Sequence, residues 1–308
     1  MIILAPMQGL TELLFRKAYH KVFPQAIDLA VSPFLSLTHG NLNHAIDKVS
    51  DVWPEANRDS IPVIPQILGK ETDEFVALAN RLYDLGYEEV NWNIGCPMRR
   101  VAGKHRGSGI LPYPDEVREV LDGVVPRLKG RLSVKMRLGY LRSDEIYPLV
   151  PILNSHPLAS VTIHPRIGKQ VYTGVPDIEA FADVLTLIEH PVIYNGDICT
   201  AERYHYLRQR FPQVEDFMIG RGILYDPLLP LRIKGLPLQE ELAKTFLRTL
   251  VDAILDSPIT EAAKIRKIKE YWCLQYKSLH LTEQQRLPLL HCSDLPSVLR
   301  TLDELLSQ

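Results

Sequence analysis

Cys96 follows the apolar run Val90-Asn-Trp-Asn-Ile94 within Asn93-Ile-Gly-Cys-Pro97, and Arg99, Arg100, Lys104 and Arg106 come next with no acid among them. A thiol so placed can donate a proton or act as a nucleophile. With an ordinary pKa of about 8.5 it is mostly protonated near neutrality, which suits a donor. A nucleophile needs a depressed value, and the neighbouring arginines pull in that direction. Lys135 lies inside the apolar stretch Ser133-Val-Lys-Met-Arg137-Leu-Gly139. A buried ammonium is costly unless it meets an anion or an electron-rich ligand. Gln66, in Pro62-Val-Ile-Pro-Gln-Ile-Leu68, is likewise polar within an apolar run, and its amide suits the donor and acceptor edge of a flat heterocycle. The turns Asn195-Gly196-Asp197 and Gly220-Arg221-Gly222 offer backbone N–H groups and a guanidinium to a phosphate.

These groups need a scaffold that ends many strands at one rim. Eight apolar runs recur at 2–5, 28–34, 62–68, 88–94, 132–138, 159–164, 191–198 and 216–222. They are continuous rather than alternating, as in parallel strands buried on both faces. Helical patterns separate them, among them 72–86 and the proline-led 114–128. This rhythm predicts a (β/α)8 barrel over residues 1–236, with an open doubly wound sheet as the alternative. From 237 to 308 the pattern is helical throughout, with amphipathic stretches at 238–255 and 261–279, and it predicts a separate small all-helical C-terminal domain. In a barrel, function sits at the C-terminal ends of strands. There the sequence places Pro6-Met7-Gln8, Gln66, Asn93 with Cys96, Lys135 with Arg137, His164 with Arg166, Asn195 to Asp197, and Gly220 with Arg221.

Other classes are excluded or left without support. The net charge is −2, so nucleic-acid binding requires local patches. The four cysteines form no CxxC pair, and no HExxH or His/carboxylate set has metal-ligand spacing, so no metal is expected. A GxxxxGK[ST] loop and a strand–GxGxxG–helix unit are both missing. The start lacks a signal-peptide pattern and no apolar run reaches membrane-spanning length, so a cytoplasmic protein with no membrane association is expected.

Six motifs in order carry a resemblance. Ala5-Pro-Met-Gln-Gly-Leu-Thr-Glu-Leu-Leu-Phe-Arg16, the Asn93–Pro97 motif with Val101, Lys104, Gly107 and Gly109, Ser133–Gly139, Thr162-Ile-His-Pro-Arg166 through Gly174, Val192–Ile198, and Met218–Gly222 together resemble the tRNA-dihydrouridine synthase family. The tail segment Lys264-Ile-Arg-Lys-Ile-Lys-Glu-Tyr-Trp272 is similar to the family's C-terminal domain. The resemblance implies FMN at the barrel mouth, reduced by NADPH or NADH. Hydride then passes from reduced FMN to C6 of a uridine in tRNA, and Cys96 protonates C5. It implies that Pro6, Met7, Gln8, Gln66, Lys135, His164, Asn195, Gly196, Asp197, Gly220 and Arg221 hold the flavin, with Gln66 on its pyrimidine edge. It further implies that Asn93, Arg137, Arg166 and Tyr172 meet the flipped base. Arg99, Arg100, Lys104, Lys267 and Lys269 then grip RNA phosphates. Glycines 103, 107 and 109 suggest a mobile Cys96 loop that closes on RNA. No protein partner is implied. Glu12, Ser32-Pro33-Phe34 and Pro165 depart from the family pattern and leave the target nucleotide open. Three other readings share many of these residues: a small-molecule flavin barrel, a synthase acting on ribosomal RNA, and a tRNA-binding protein without catalysis.

Overall fold

The computed structural model describes residues 1–36 and 48–307. Ten parallel segments form its sheet: β1 (Ile2–Leu4), β2 (Leu29–Val31), β3 (Leu35–Ser36), β4 (Val63–Ile64), β5 (Gln66–Leu68), β6 (Glu89–Ile94), β7 (Arg131–Gly139), β8 (Leu158–Ile167), β9 (Val192–Tyr194) and β10 (Asp216–Ile219). Their order is β3-β5-β6-β7-β8-β9-β10-β1-β2-β4. The two ends of that order meet: β2 pairs with β4 and β3 pairs with β5, so two strand positions are each split into consecutive pieces. Pro33 and Pro65 lie at the breaks, where a missing N–H interrupts the ladder. The result is a closed ring of eight strand positions, the (β/α)8 barrel read from the apolar runs, with a helical C-terminus.

Strand parity divides the chemistry from the packing. On β6, Trp92 packs outward, its ring 6.3 Å from Phe75 in an edge contact, while Asn91 and Asn93 belong to the other face. One side of the lower barrel interior is apolar, built from Ile3, Ala5, Val31, Ile193 and Met218. The helices at 72–86 and 114–128 form as Thr72–Asp84 and Pro114–Val124, the second continued by a single 3-10 turn.

After residue 236 come four helices among the described residues, Glu241–Asp256, Glu261–Gln275, Glu283–His291 and Leu295–Leu306. Their core is continuous with that of the barrel. Phe15 and Tyr19, on α1 (Leu13–Val22), each lie 5.4 Å from Phe246, and Phe15 lies 6.0 Å from Tyr271. Tyr271 donates to Leu10 O at 2.5 Å, and Lys267 Nζ donates to Gly9 O at 2.8 Å and Glu12 Oε2 at 2.9 Å. The tail therefore braces the turn that carries Pro6, Met7 and Gln8. Glu12, one of the departures from the family pattern, has the reach to make this bond.

Candidate active site at the barrel mouth

The inward faces of four neighbouring strands, β5 to β8, rise in register. Gln66 pairs with Asn91 and Asn91 with Ser133; above them Asn93 pairs with Lys135 and Lys135 with Thr162; higher still Arg137 pairs with His164. Side chains two apart on a strand share a face, so each strand delivers a ladder of polar groups to the mouth. There Asn93, Cys96, Lys135, Arg137 and His164 line a cavity of about 720 Å³. Pro6, Met7, Gln8, Asn195, Asp197, Gly220, Arg221, Arg99 and Tyr172 complete the walls named from the sequence.

The Cys96 loop is tightly built. Asn93 Oδ1 accepts from Gly95 N at 3.1 Å and from Cys96 N at 2.9 Å, which fixes the turn. Ser108 N and Oγ donate back to Cys96 O at 2.9 and 3.1 Å. Leu68, Val101 and Phe34 pack around the thiol, so Phe34 has a place in the site. Burial pushes the Cys96 thiol above its ordinary value, outweighing the Met98 N–H and the charges of Arg137, Lys135 and Arg100. The competition between burial and nearby cations thus goes to burial, and the thiol is held protonated.

Two of the three glycines expected to loosen this loop, Gly107 and Gly109, are packed within it, while Gly103 is exposed. Gly107, Ser108, Gly109 and Ile110 are buried in a 3-10 turn. A Cβ at Gly109 would stand 2.1 Å from Ala102 O, and one at Gly107 2.6 Å from Cys96 O. Gly107 also has φ +56, which side-chain-bearing residues rarely adopt. Gly107→Ala is accordingly expected to destabilise the fold by about 1–3 kcal/mol and to displace Cys96. Thermal unfolding and Cys96 alkylation rate check both effects.

A cationic wall faces the thiol. Arg137 donates to Gly95 O (3.1 Å), Ile167 O (3.0 Å) and Val171 O (2.7 Å), tying the Cys96 loop to the Tyr172 loop. Arg166 lies beneath the surface, 1 % exposed, with Nη1 and Nη2 on Asp197 at 2.8 and 2.5 Å. It also bonds His164 Nε2 at 3.1 Å, so that nitrogen accepts and the proton sits on Nδ1. Burial, reinforced by Arg137, Lys135, Arg166 and Arg221, holds His164 well below its ordinary value and therefore neutral at neutral pH. Asp197 also takes Arg221. Its burial raises its pKa, but the Arg166 hydrogen bond and both guanidinium charges hold it low. Tyr172 stands between two guanidinium groups, 4.8 Å from Arg221 and 5.6 Å from Arg137. Lys135 has no hydrogen-bond or ion-pair partner among the described residues. Burial and the Arg137 charge push it down to about 7, against a pull upward from Cys96.

Several residues named from the sequence are placed elsewhere. Gln66 is 0 % exposed and does not line the cavity; Nε2 donates to Asn91 Oδ1 and Oε1 accepts from Asn93 Nδ2, both at 2.7 Å. Its amide is thus occupied by neighbouring amides rather than aimed at the edge of a ring. Gly196 lies behind the wall, its Cβ position 3.0 Å from the Tyr194 hydroxyl. Arg106 turns inward to Glu71, whereas Arg99, Arg100 and Lys104 are exposed. Lys269 Nζ donates to Leu290 O (2.8 Å) and Cys292 O (2.5 Å) at the end of a tail helix. Lys267 and Lys269 are therefore engaged within the tail and its seat, while Arg266, just before them, is exposed. Lys169, Tyr140, Met98 and Cys199 line the cavity without having been singled out. Lys169 lies 5.3 Å above the Tyr140 ring, and its signal was its place two residues before Val171-Tyr172 in an otherwise uncharged loop. Among the described residues no group of three or more His, Cys, Asp or Glu is placed to hold a metal, and no helix is long and apolar enough to cross a membrane.

Comparison with known proteins bears on the fold and the family. The solved structures it resembles include the old yellow enzyme from Trypanosoma cruzi, at a TM-score of 0.57 and 11% identity over 83% of this chain and 94% of that one. They also include morphinone reductase, at 0.55 and 14% over 80% and 88%. At such identities the likeness concerns the barrel alone. Among curated proteins, tRNA-dihydrouridine synthase B of Pasteurella multocida is 29% identical over 229 residues, 74% of this chain and 67% of that one. A probable tRNA-dihydrouridine synthase of Rhodobacter capsulatus is 29% identical over 227 residues, 72% and 67% of the two chains. The model of the family described as dihydrouridine synthase (Dus) matches residues 3–266, nearly the whole barrel and half the tail, and the chain belongs to that family.

Proposed function

We propose that the protein reduces a uridine of tRNA to 5,6-dihydrouridine, using FMN in the mouth cavity and NADPH or NADH as reductant. The observation that carries this reading is a protonated thiol, Cys96, sharing one cavity with an unpartnered ammonium, Lys135. The cavity fits a flavin on its own terms. Its volume of about 720 Å³ suits a tricyclic ring with a base beside it. Gly220, Arg221 and Gly222 line the same cavity beside Asn195 and Asp197, so the last turns bring backbone N–H groups and the Arg221 guanidinium to one wall, a set that suits a phosphate.

When bound, FMN supplies the hydride for uracil C6. Lys135 would offer the bound ring an ammonium able to stabilise the negative charge that reduction places on it. Pro6, Met7, Gln8 and His164 would hold the ring, and Asn195, Asp197, Gly220 and Arg221, which line the same cavity, would hold the phosphate. Arg166 holds Asp197 and thereby the approach of Arg221. Cys96 Sγ–H gives its proton to C5 and is left a thiolate, which the charges of Arg137 and Lys135 stabilise until solvent restores the proton. Asn93, Arg137 and Tyr172 contact the extruded base. Residues 1–236 act as the catalytic barrel and 237–308 as a helical platform for RNA.

The exposed Arg99, Arg100 and Lys104 at the lip, with Arg266 on the tail, take phosphates. Replacing Arg99 and Arg100 together by alanine is expected to lower the salt slope of tRNA binding by about two units, roughly one per contact. A binding series across salt concentrations checks it. The reading is tested at its base by gel filtration after incubation with FMN. Co-eluting flavin absorbance is expected, and protein that emerges without flavin would contradict the reading.

A further inference from the structure

The amides under the mouth form a chain with one direction. Asn93 Oδ1 is committed as an acceptor by two backbone N–H groups, those of Gly95 and Cys96. Asn93 Nδ2 must then donate, and it meets Gln66 Oε1 at 2.7 Å. Gln66 Nε2 is thereby left to donate to Asn91 Oδ1 at 2.7 Å. Asn91 Nδ2 in turn donates to Ser133 Oγ at 2.9 Å. Reversing any one amide would set N–H against N–H or oxygen against oxygen along the whole row. The four side chains are between 0 % and 7 % exposed, and each link is made directly from one side chain to the next.

Gln66, Asn91 and Ser133 do not line the mouth cavity; Asn91 and Ser133 lie on the wall of a separate 560 Å³ cavity at the opposite end of the barrel. Asn91 and Ser133 therefore face away from a base or a flavin in the mouth. Their route to the chemistry runs through Asn93 and the two N–H groups that set the Cys96 turn.

We propose that Ser133 and Asn91 are positioning residues for the proton donor. Anchored on β7, the Ser133 hydroxyl fixes the orientation of Asn91, hence of Gln66 and Asn93, and so the place of Cys96 Sγ. This rests on the proposed reaction for its catalytic consequence but not for its effect on the thiol. Proton transfer is sensitive to small displacements of the donor, whereas Ser133 and Asn91 themselves are not among the groups proposed to hold flavin or RNA.

The test compares Ser133→Ala with Ser133→Thr, which keeps the hydroxyl. Ser133→Ala is expected to lower kcat for tRNA reduction roughly 10- to 100-fold with KM for tRNA within about twofold and flavin content unchanged. Alkylation of Cys96 by iodoacetamide, followed on its own peptide by mass spectrometry across pH, should become faster, with its midpoint moved down toward an ordinary thiol. Ser133→Thr should restore both. Ser133→Cys, which keeps the volume and a weak acceptor, should fall between them and serves where the alanine protein does not fold. A variant that lowers only the melting temperature, leaving kcat and the Cys96 alkylation profile as in wild type, would overturn the proposal. So would a loss that threonine does not restore. If the wild-type protein reduces no tRNA, the reaction is misassigned, and the alkylation series still decides whether Ser133 positions the thiol.

Discussion

Cys96→Ala is expected to slow single-turnover oxidation of the reduced flavin by tRNA about 100- to 10,000-fold, while flavin content and tRNA affinity stay near wild type. The thiol is 9 % exposed and clasped by Leu68, Val101 and Phe34, and burial keeps it protonated against the cations that ring it. Alanine keeps the packing and removes the proton. The reductive step from nicotinamide does not use C5 of uracil, so flavin reduction should proceed unchanged. The pH dependence follows from the same geometry. The acid form of Cys96 is lost only as pH rises through a value above that of an ordinary thiol, so activity should persist into alkaline solution before it falls. Rates equal to wild type in the alanine variant, measured by stopped-flow flavin absorbance, would remove Cys96 from the reaction.

Lys135→Met is expected to cost the protein most of its flavin affinity and yet to stabilise the flavin-free fold. The ammonium is pushed down to about 7, by burial first and by Arg137 second, and has no partner among the described residues. A folded-state value below the ordinary lysine value of about 10.4 means that the unfolded chain binds more protons between those two pH values. Stability therefore rises with pH across that window, and the penalty from Lys135 is largest below pH about 7. Methionine removes the penalty, so the gain in melting temperature should be greater at about pH 6 than at about pH 10. A gain of equal size at both, or a variant that retains FMN like wild type, would show that Lys135 is not an ammonium waiting for an electron-rich ligand.

The barrel was legible because its strands are buried on both faces and so read as continuous apolar runs, each ending where a polar or glycine residue begins. Lys135, His164 and Arg137 stood out for the same reason, as charged or titratable groups within such runs. What the sequence concealed is pairing across strands. Gln66 was as conspicuous as Lys135, but only the register of β5 against β6 reveals that Asn91 and Asn93 occupy its amide. The glycines at 107 and 109 signalled freedom when read locally, and in three dimensions they permit close approach to Cys96 O and Ala102 O. Lys267 and Lys269 were expected to grip RNA phosphates, and the carbonyls they bond instead could not be read locally, the Gly9 partner being 258 residues away. Ser133 gave no signal at all, since a serine inside a strand is ordinary until its neighbour is seen.

The account is tested most directly by incubating the purified protein, loaded with FMN and supplied with NADPH, with a tRNA transcript free of modification. The expected result is a gain of two hydrogens at a small number of specific uridines, mapped by mass spectrometry of the digested RNA, with loss of the product in Cys96→Ala. A flavin-loaded protein that consumes NADPH but leaves every uridine of tRNA unreduced would contradict it.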